Sequence, residues 1–141
     1  MRAEIVNDRD LSAAESWLQK AADQGDPFGQ YLLGMSRLER NDYAPAAEWF
    51  LKAAMQGLPQ AQQQLGELLL QGKGVNADKF QAYVWLLVSF EAGKQDVADE
   101  LQDLEAQLGA NKVEEAKTKA RELQENVNSR CSRSRVRLAW L

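Results

Sequence analysis

Few residues in this 141-residue chain have the types and spacing that chemistry requires. Asp99, Glu100, Asp103 and Glu105, and the pair Glu114-Glu115, are carboxylates near enough in sequence for acid–base work or calcium binding. They fall within helical patterns, where a charged, solvated outer face is the expected role. Gly72-Lys73-Gly74 has the look of a phosphate loop, but the full Gly-x-x-x-x-Gly-Lys-Ser/Thr pattern is missing and Val75 follows, so a turn is expected. Trp17, Trp49 and Trp85 offer flat surfaces for stacking a ligand, yet their regular recurrence points to packing. The chain contains no histidine, which removes Ser-His-Asp and Cys-His catalysis, histidine metal ligation and histidine pH switching. Its one cysteine, Cys131, excludes an intramolecular disulfide. We expect no catalytic, cofactor-binding or metal-binding residue, and a protein that is not an enzyme.

The elements that hold these residues are written in a repeated frame. Trp17…Ala21-Ala22-Asp23-Gln24-Gly25 returns as Trp49…Ala53-Ala54-Met55-Gln56-Gly57, and more weakly as Trp85…Ser89-Phe90-Glu91-Ala92-Gly93. A period of thirty-odd residues means one supersecondary unit copied along the chain, because a single copy cannot bury its own apolar face. Punctuation divides each copy into two helices. Ser12-Ala-Ala-Glu15 reads as a capping box opening a helix that ends at about Gln24. Asp26-Pro27 starts the next, which ends near Asn41, and Asp42 with Pro45 opens another, stopped by Gly57. Pro59 opens a fourth, Gly72-Lys73-Gly74-Val75 turns the chain, and a fifth runs from about Asp78 to Ala92. Two more, about Val97–Leu108 and Val113–Asn126, complete the body, the last opened by a second capping box, Asn111-Lys-Val-Glu114. The expected fold is all-α, with about seven antiparallel helices joined by short loops.

Charge is unevenly placed. The net charge is −4. Arg130, Arg133, Arg135 and Arg137 lie in the last twelve residues without any acid, so the rest of the chain carries −8. An acidic body argues against nucleic acid as a ligand. Glu4, Asp8 and Asp10 interrupt the place of a signal peptide, and the apolar run around Val84 to Val88 is too short to span a membrane. The expected setting is the cytoplasm, with no membrane partner.

Leu65-Gly66-Glu-Leu68…Gly72-Lys-Gly74-Val75-Asn-Ala-Asp78…Gln81-Ala82-Tyr83-Val84-Trp85 resembles the Sel-one-like repeat (SLR), a relative of the tetratricopeptide repeat found in bacteria and eukaryotes. The family frame is Leu-Gly, Gly-x-Gly-Val, an Asp, an Ala, a Trp and then Ala-Ala-x-x-Gly. The likeness covers about Ala14 to Gly93, with two helices from about 95 to 128 resembling the capping pair of such arrays. It implies a right-handed α/α superhelix over residues 1–128, with residues 129–141 as a basic, flexible tail. Three departures stand out. The first full unit has a short turn, Arg40-Asn-Asp-Tyr43, in place of Gly-x-Gly-Val; the third has Ser89-Phe90 for Ala-Ala; and the array opens with the second helix of a pair. That opening leaves the apolar face with Trp17, Leu18 and Ala21 partly uncovered unless Ile5 and Val6 fold over it or a second molecule does.

What the resemblance implies for function is binding of another protein, as an adaptor, regulator or inhibitor, on the inner face of the superhelix. First-helix positions there are Gln30, Arg37 and Arg40, then Gln60, Gln63, Gln64 and Glu67, whose amides suit an extended peptide backbone. Two other readings are an immunity or chaperone-like protein for a secreted effector, and an enzyme or small-ligand binder acting on cell-wall material. The cysteines of the SLR members associated with β-lactam or peptidoglycan binding are missing. A homodimer through the open N-terminal end is a further expectation. So is one through the tail, with Arg133, Arg135 and Arg137 on one side of an extended strand and Trp140 and Leu141 as anchors.

Overall fold

The structure, a computed structural model, describes the backbone of residues 8–140 and the side chains of residues 13–127. Among the described residues there are seven α-helices and no strand: α1 Asp8–Asp23, α2 Pro27–Glu39, α3 Tyr43–Met55, α4 Pro59–Gln71, α5 Lys79–Glu91, α6 Ala98–Leu108 and α7 Ala110–Trp140, with a 3-10 turn at Gln95–Val97 before α6. Each helix from α1 to α5 packs on the next, and α5 also carries α6 and α7. The result is a solenoid of antiparallel pairs in which α2–α3 and α4–α5 are the two full repeats.

Local chemistry explains most boundaries. The Asp26 carboxylate accepts the Phe28 amide at 3.2 Å, and Asp78 accepts that of Gln81 at 3.0 Å. Pro27 and Pro59 occupy first-turn positions, where a missing amide costs nothing. Between α2 and α3 only three residues intervene, with Asn41 at φ 61°, whereas seven separate α4 from α5. Two expected caps are absent. Helix α1 begins at Asp8, so Ser12 lies inside it, and α7 begins at Ala110, so Asn111 is already helical. Helix α7 also fails to stop near Asn126. No glycine or proline follows Gly109, so nothing breaks the helix, and its backbone passes the expected boundary at 128 and reaches Trp140. The backbone expected to be extended over Arg133, Arg135 and Arg137 is therefore helical. The side chains of Cys131, those three arginines, Trp140 and Leu141, and the whole of Ile5 and Val6, lie outside the described residues.

One polar contact recurs at the first two junctions between units, α1 to α2 and α3 to α4. Gln30 of α2 is 5% exposed, and its Nε2 donates to the Ala22 carbonyl near the end of α1 at 3.3 Å. Thirty-two residues later, Gln62 of α4 is 1% exposed and donates to the Ala54 carbonyl at 3.1 Å. Those carbonyls also accept the Gly25 and Gly57 amides, so each glutamine ties a helix to the C-terminal turn of the one before. The two copies differ on the acceptor side. Gln30 Oε1 receives the Gln56 Nε2 at 2.8 Å, while Gln62 Oε1 is buried with no hydrogen-bond partner. The position matching Gln56 in the third frame is Ala92, which has no donor to offer.

The remaining frame residues are explained by close approach. Gly34 and Gly66 leave room for the next helix: a Cβ would lie 2.8 Å from the Phe50 ring in one case and from Leu86 in the other. Gly74, at φ +75°, carries the long turn against the start of α3, where a Cβ would overlap the backbone of Tyr43 and Ala44. Two adjoining cores result, one centred on Phe50, Leu65 and Trp85, the other on Tyr83, Leu86, Val97 and Leu104, with Leu123 of α7 touching both. Burial of the tryptophans follows position in the stack. Trp85 is 6% exposed beneath the later helices, Trp49 is half-buried with the Lys52 ammonium 4.5 Å from its ring, and Trp17 is 72% exposed. Packing thus accounts for Trp85 but not for Trp17. On α1, Ala14 is exposed and Leu18 and Ala21 are half-buried, whereas their counterparts Ala46, Phe50 and Ala53 are fully covered.

Two stability predictions follow from these junctions. Gly74→Ala lowers the unfolding free energy by about 3 kcal/mol or more, strain and overlap adding, while Gly93→Ala, where nothing lies within 4 Å, costs about 1–2 kcal/mol. Denaturant titration distinguishes the two, and equal losses would contradict the packing assigned to the turn. Ala92→Gln supplies the missing donor to Gln62 and raises stability by about 1 kcal/mol; an unchanged midpoint would show that the register drawn between the repeats is wrong there.

Candidate functional site

The first helices of successive units, α2, α4 and then the 3-10 turn with α6, run parallel because each is antiparallel to the helix between. Repeat register sets Phe28, Gln60 and Asp96 at one position on them, and Leu32, Gln64 and Glu100 one turn further along. Most of the expected partner-facing residues fall on this row or beside it. Gln60, Gln63, Gln64 and Glu67 are all half-exposed on α4. Gln63 links two units: its Nε2 donates to Glu67 Oε1 at 3.3 Å and to Asp96 Oδ2 at 3.2 Å.

Other expected residues are placed differently. Gln30 is turned inward, spent on the junction with α1 and on Gln56, and does not line the face. Arg40 pairs with Glu15 of α1, whose Oε1 also accepts the Ser36 hydroxyl at 3.0 Å, so its charge is neutralised within the fold. Arg37 is half-buried near the end of α2. The physical reason for the misplacement of Gln30 is register: its true counterpart is Gln62, not Gln60, and both point toward the preceding helix.

Sequence reasoning missed the two ends of the row. Phe28 is 51% and Leu32 42% exposed, with Phe28 meeting Tyr31 edge-on at 6.3 Å and Tyr31 meeting Phe50 at 5.9 Å. At the other end Asp96 and Glu100 converge on Glu67. Burial raises the Glu67 carboxyl above the usual glutamate value; its bond from Gln63 and the charge of Lys94 oppose this, and Asp96 reinforces it. Glu100 is raised by burial and by the charges of Glu67 and Asp96. Lys94 answers only part of that charge, its Nζ lying 3.8 Å from Asp96. The signal that finds both ends is the repeat period itself, since adding 32 and then 36 to Phe28 reaches Gln60 and Asp96.

Of the other carboxylates, Asp99, Asp103, Glu114 and Glu115 are exposed as expected. Glu105 instead accepts the buried Tyr83 hydroxyl at 2.7 Å, and burial with that bond raises the phenol well above its ordinary value. Gly72-Lys73-Gly74 serves as a turn, with the Lys73 ammonium 5.1 Å from the Tyr43 ring. Two shallow clefts, of about 200 and 240 Å³, lie elsewhere: one between α5 and α7 beside Trp85 and Lys119, one beside Leu51 and Val75. Among the described residues no cluster of acidic or sulfur side chains has the geometry to hold a metal ion, and no helix is long and apolar enough to cross a membrane.

Comparison with known proteins places this arrangement. The family model described as Sel1 repeat matches residues 8–26, 27–58 and 59–94. The first match takes in α1, the second α2–α3 and the third α4–α5, so the repeat boundaries coincide with Pro27 and Pro59. A solved structure of a protective antigen present in uropathogenic Escherichia coli strains, displaying an SLR fold, is 32% identical with a TM-score of 0.77. That similarity covers 84% of this chain and 26% of the antigen. A Sel1 repeat protein from Oxalobacter formigenes is 43% identical with a TM-score of 0.62, over 63% of this chain and 27% of the other. The chain thus spans about a quarter of the length of each. No protein of curated function matches it. With its repeats matched over more than half of the sequence and the solenoid they prescribe in place, the chain belongs to the Sel1 repeat family.

Proposed function

We propose that the protein is a non-catalytic interaction module of the cytoplasm, an adaptor, regulator or inhibitor that binds a partner protein along the α2–α4–α6 face. Sel1 repeat folds generally mediate protein–protein interaction, and the family is typically a scaffold without catalytic activity. The observation that carries the reading is the Gln63 bridge. One side chain reaches from α4 to Asp96 across the junction, so neighbouring units present their polar groups as one continuous surface. Gln63 spends its donor on Glu67 and Asp96 and Gln60 buries its carbonyl oxygen, so the groups left for a bound backbone are the Gln63 carbonyl, the Gln60 amide nitrogen and the Gln64 amide.

Energetics support the same face. Glu67 and Glu100 are disfavoured by burial and by the nearby charge of the exposed Asp96, an arrangement that works against folding. Residues that lower stability and are nevertheless present fit a demand from binding.

Capture from native extract tests the reading: the wild-type chain retains partners that the Gln60→Ala/Gln63→Ala/Gln64→Ala variant loses, with both proteins equally helical by circular dichroism. Unchanged partners in the variant would remove the face from consideration. The stability argument has its own readout. Because the folded-state value of Glu67 is raised, its unfavourable contribution is absent below the ordinary value of 4.5 and sets in as pH rises through the folded value. Glu67→Gln, which keeps the acceptor for Gln63, therefore raises the melting temperature near neutral pH and leaves it unchanged below 4.5. A variant less stable than wild type at neutral pH would contradict the assignment.

A further inference from the structure

The α2–α4–α6 face changes chemistry in one direction along its length. At the α2 end stand Phe28 and Leu32, large apolar side chains about half exposed. One turn apart on α2, the two form a small apolar patch available to a partner. Tyr31 backs Phe28 and rests in turn on Phe50 of the core, so this end is a firm platform. In the middle come Gln60, Gln63 and Gln64, half-buried, with the Gln63 carbonyl, the Gln60 amide nitrogen and the Gln64 amide not committed to other groups. At the α6 end Glu67, Asp96 and Glu100 gather, faced by the Lys94 ammonium. Carboxylates that burial and mutual repulsion disfavour are relieved by a cation arriving from outside.

Each end excludes a class of ligand. Phosphate-bearing molecules, nucleic acid and anionic lipid headgroups among them, are repelled by the carboxylates. A small cation satisfies the acidic end but leaves Phe28 and Leu32 uncovered. A polypeptide segment satisfies all three zones at once, because its backbone hydrogen-bonds to amides while its side chains differ from end to end.

Resting on the reading of this face as the partner surface, we infer that the bound element is a segment of another protein that is apolar at one end and lysine- or arginine-bearing at the other. Its apolar side chains sit on Phe28 and Leu32. Its backbone follows the α4 glutamines, and its cations reach Glu67, Asp96 and Glu100. Charge complementarity sets the orientation of the segment on the face, and the apolar platform supplies the larger share of the binding energy.

Fluorescence anisotropy on the full chain tests this with labelled peptides carrying a Leu-Phe-Leu block and a Lys-Lys-Lys block, made in both orders. A companion peptide carries Glu in place of Lys. The expected result is binding of a lysine peptide in one order, weakened about tenfold by Glu67→Gln/Glu100→Gln and less steeply salt-dependent in that variant. Leu32→Gln weakens binding while leaving the salt dependence intact. Equal or tighter binding of the glutamate peptide, or no effect of the double carboxylate variant, overturns the inferred chemistry, and so does failure of every peptide to bind. If Gln64→Ala still weakens peptide binding while the charge changes do nothing, the face remains a binding surface and only the partner chemistry falls. If none of these variants alters capture of native partners, the reading of the face itself falls. Self-association of the chain that Glu67→Gln/Glu100→Gln abolishes would assign the face to the arginine-rich segment 129–141 of a second copy and overturn a separate partner.

Discussion

The solenoid depends on a glutamine that reaches from the first helix of a unit to the carbonyl of the next-to-last residue, an alanine, of the preceding helix. A helix end leaves carbonyls without intrahelical partners, and an apolar junction between units would bury them at a cost. Gln30 and Gln62 answer this at Ala22 and Ala54 while Gly25 and Gly57 turn the chain. Apolar packing alone is tolerant of sliding; a buried, directional bond is not. The angle between the first units, and hence the alignment of α2 and α4, is set by that contact together with Gly34 and Gly66, which fix how closely the next helix approaches. Where the frame decays at Ser89-Phe90 and Ala92, the junction changes character: Ser89 turns its hydroxyl to its own helix, and α6 and α7 close the stack through apolar packing.

Most of this was legible in the residues because the signals were local. Proline and aspartate at 26–27 and 78, and glycine at 25, 57 and 93, mark helix ends by constraints that act within a turn. The tandem frame then converts one unit into an array. What escaped reading was of two kinds. Helix starts at Asp8 and Ala110 were displaced because a capping-box pattern such as Ser12…Glu15 or Asn111…Glu114 is equally compatible with a helix interior. The orientation of glutamines was the second. Gln30, Gln60 and Gln62 are chemically alike, and only packing decides that Gln30 and Gln62 reach a carbonyl of the preceding helix while Gln60 stays half-buried beside them. A strict application of the period, pairing Gln30 with Gln62, would have separated them.

The same register connects architecture with the proposed function. Positions that are interior, such as Leu33 and Leu65 or Gly34 and Gly66, repeat nearly unchanged, whereas Phe28, Gln60 and Asp96 diverge completely. Repeated packing positions hold the units in line, and the divergent positions between them differ in apolarity, hydrogen-bonding capacity and charge. Such a face can discriminate among partners without moving parts, since recognition is distributed over several rigid helices. Trp17 and its counterpart Trp85 differ in cover: Trp85 packs with the α3 and α4 core and Leu123, whereas Trp17 is 72% exposed.

The central claim, that binding occurs on the first helices of the units, is tested most directly by nuclear magnetic resonance of the isotope-labelled chain with its captured native partner. The account predicts shift changes concentrated in α2, α4 and α6, with Gln63, Glu67 and Leu32 among the largest. Changes confined to α3, α5 and α7, with those residues undisturbed, would contradict it.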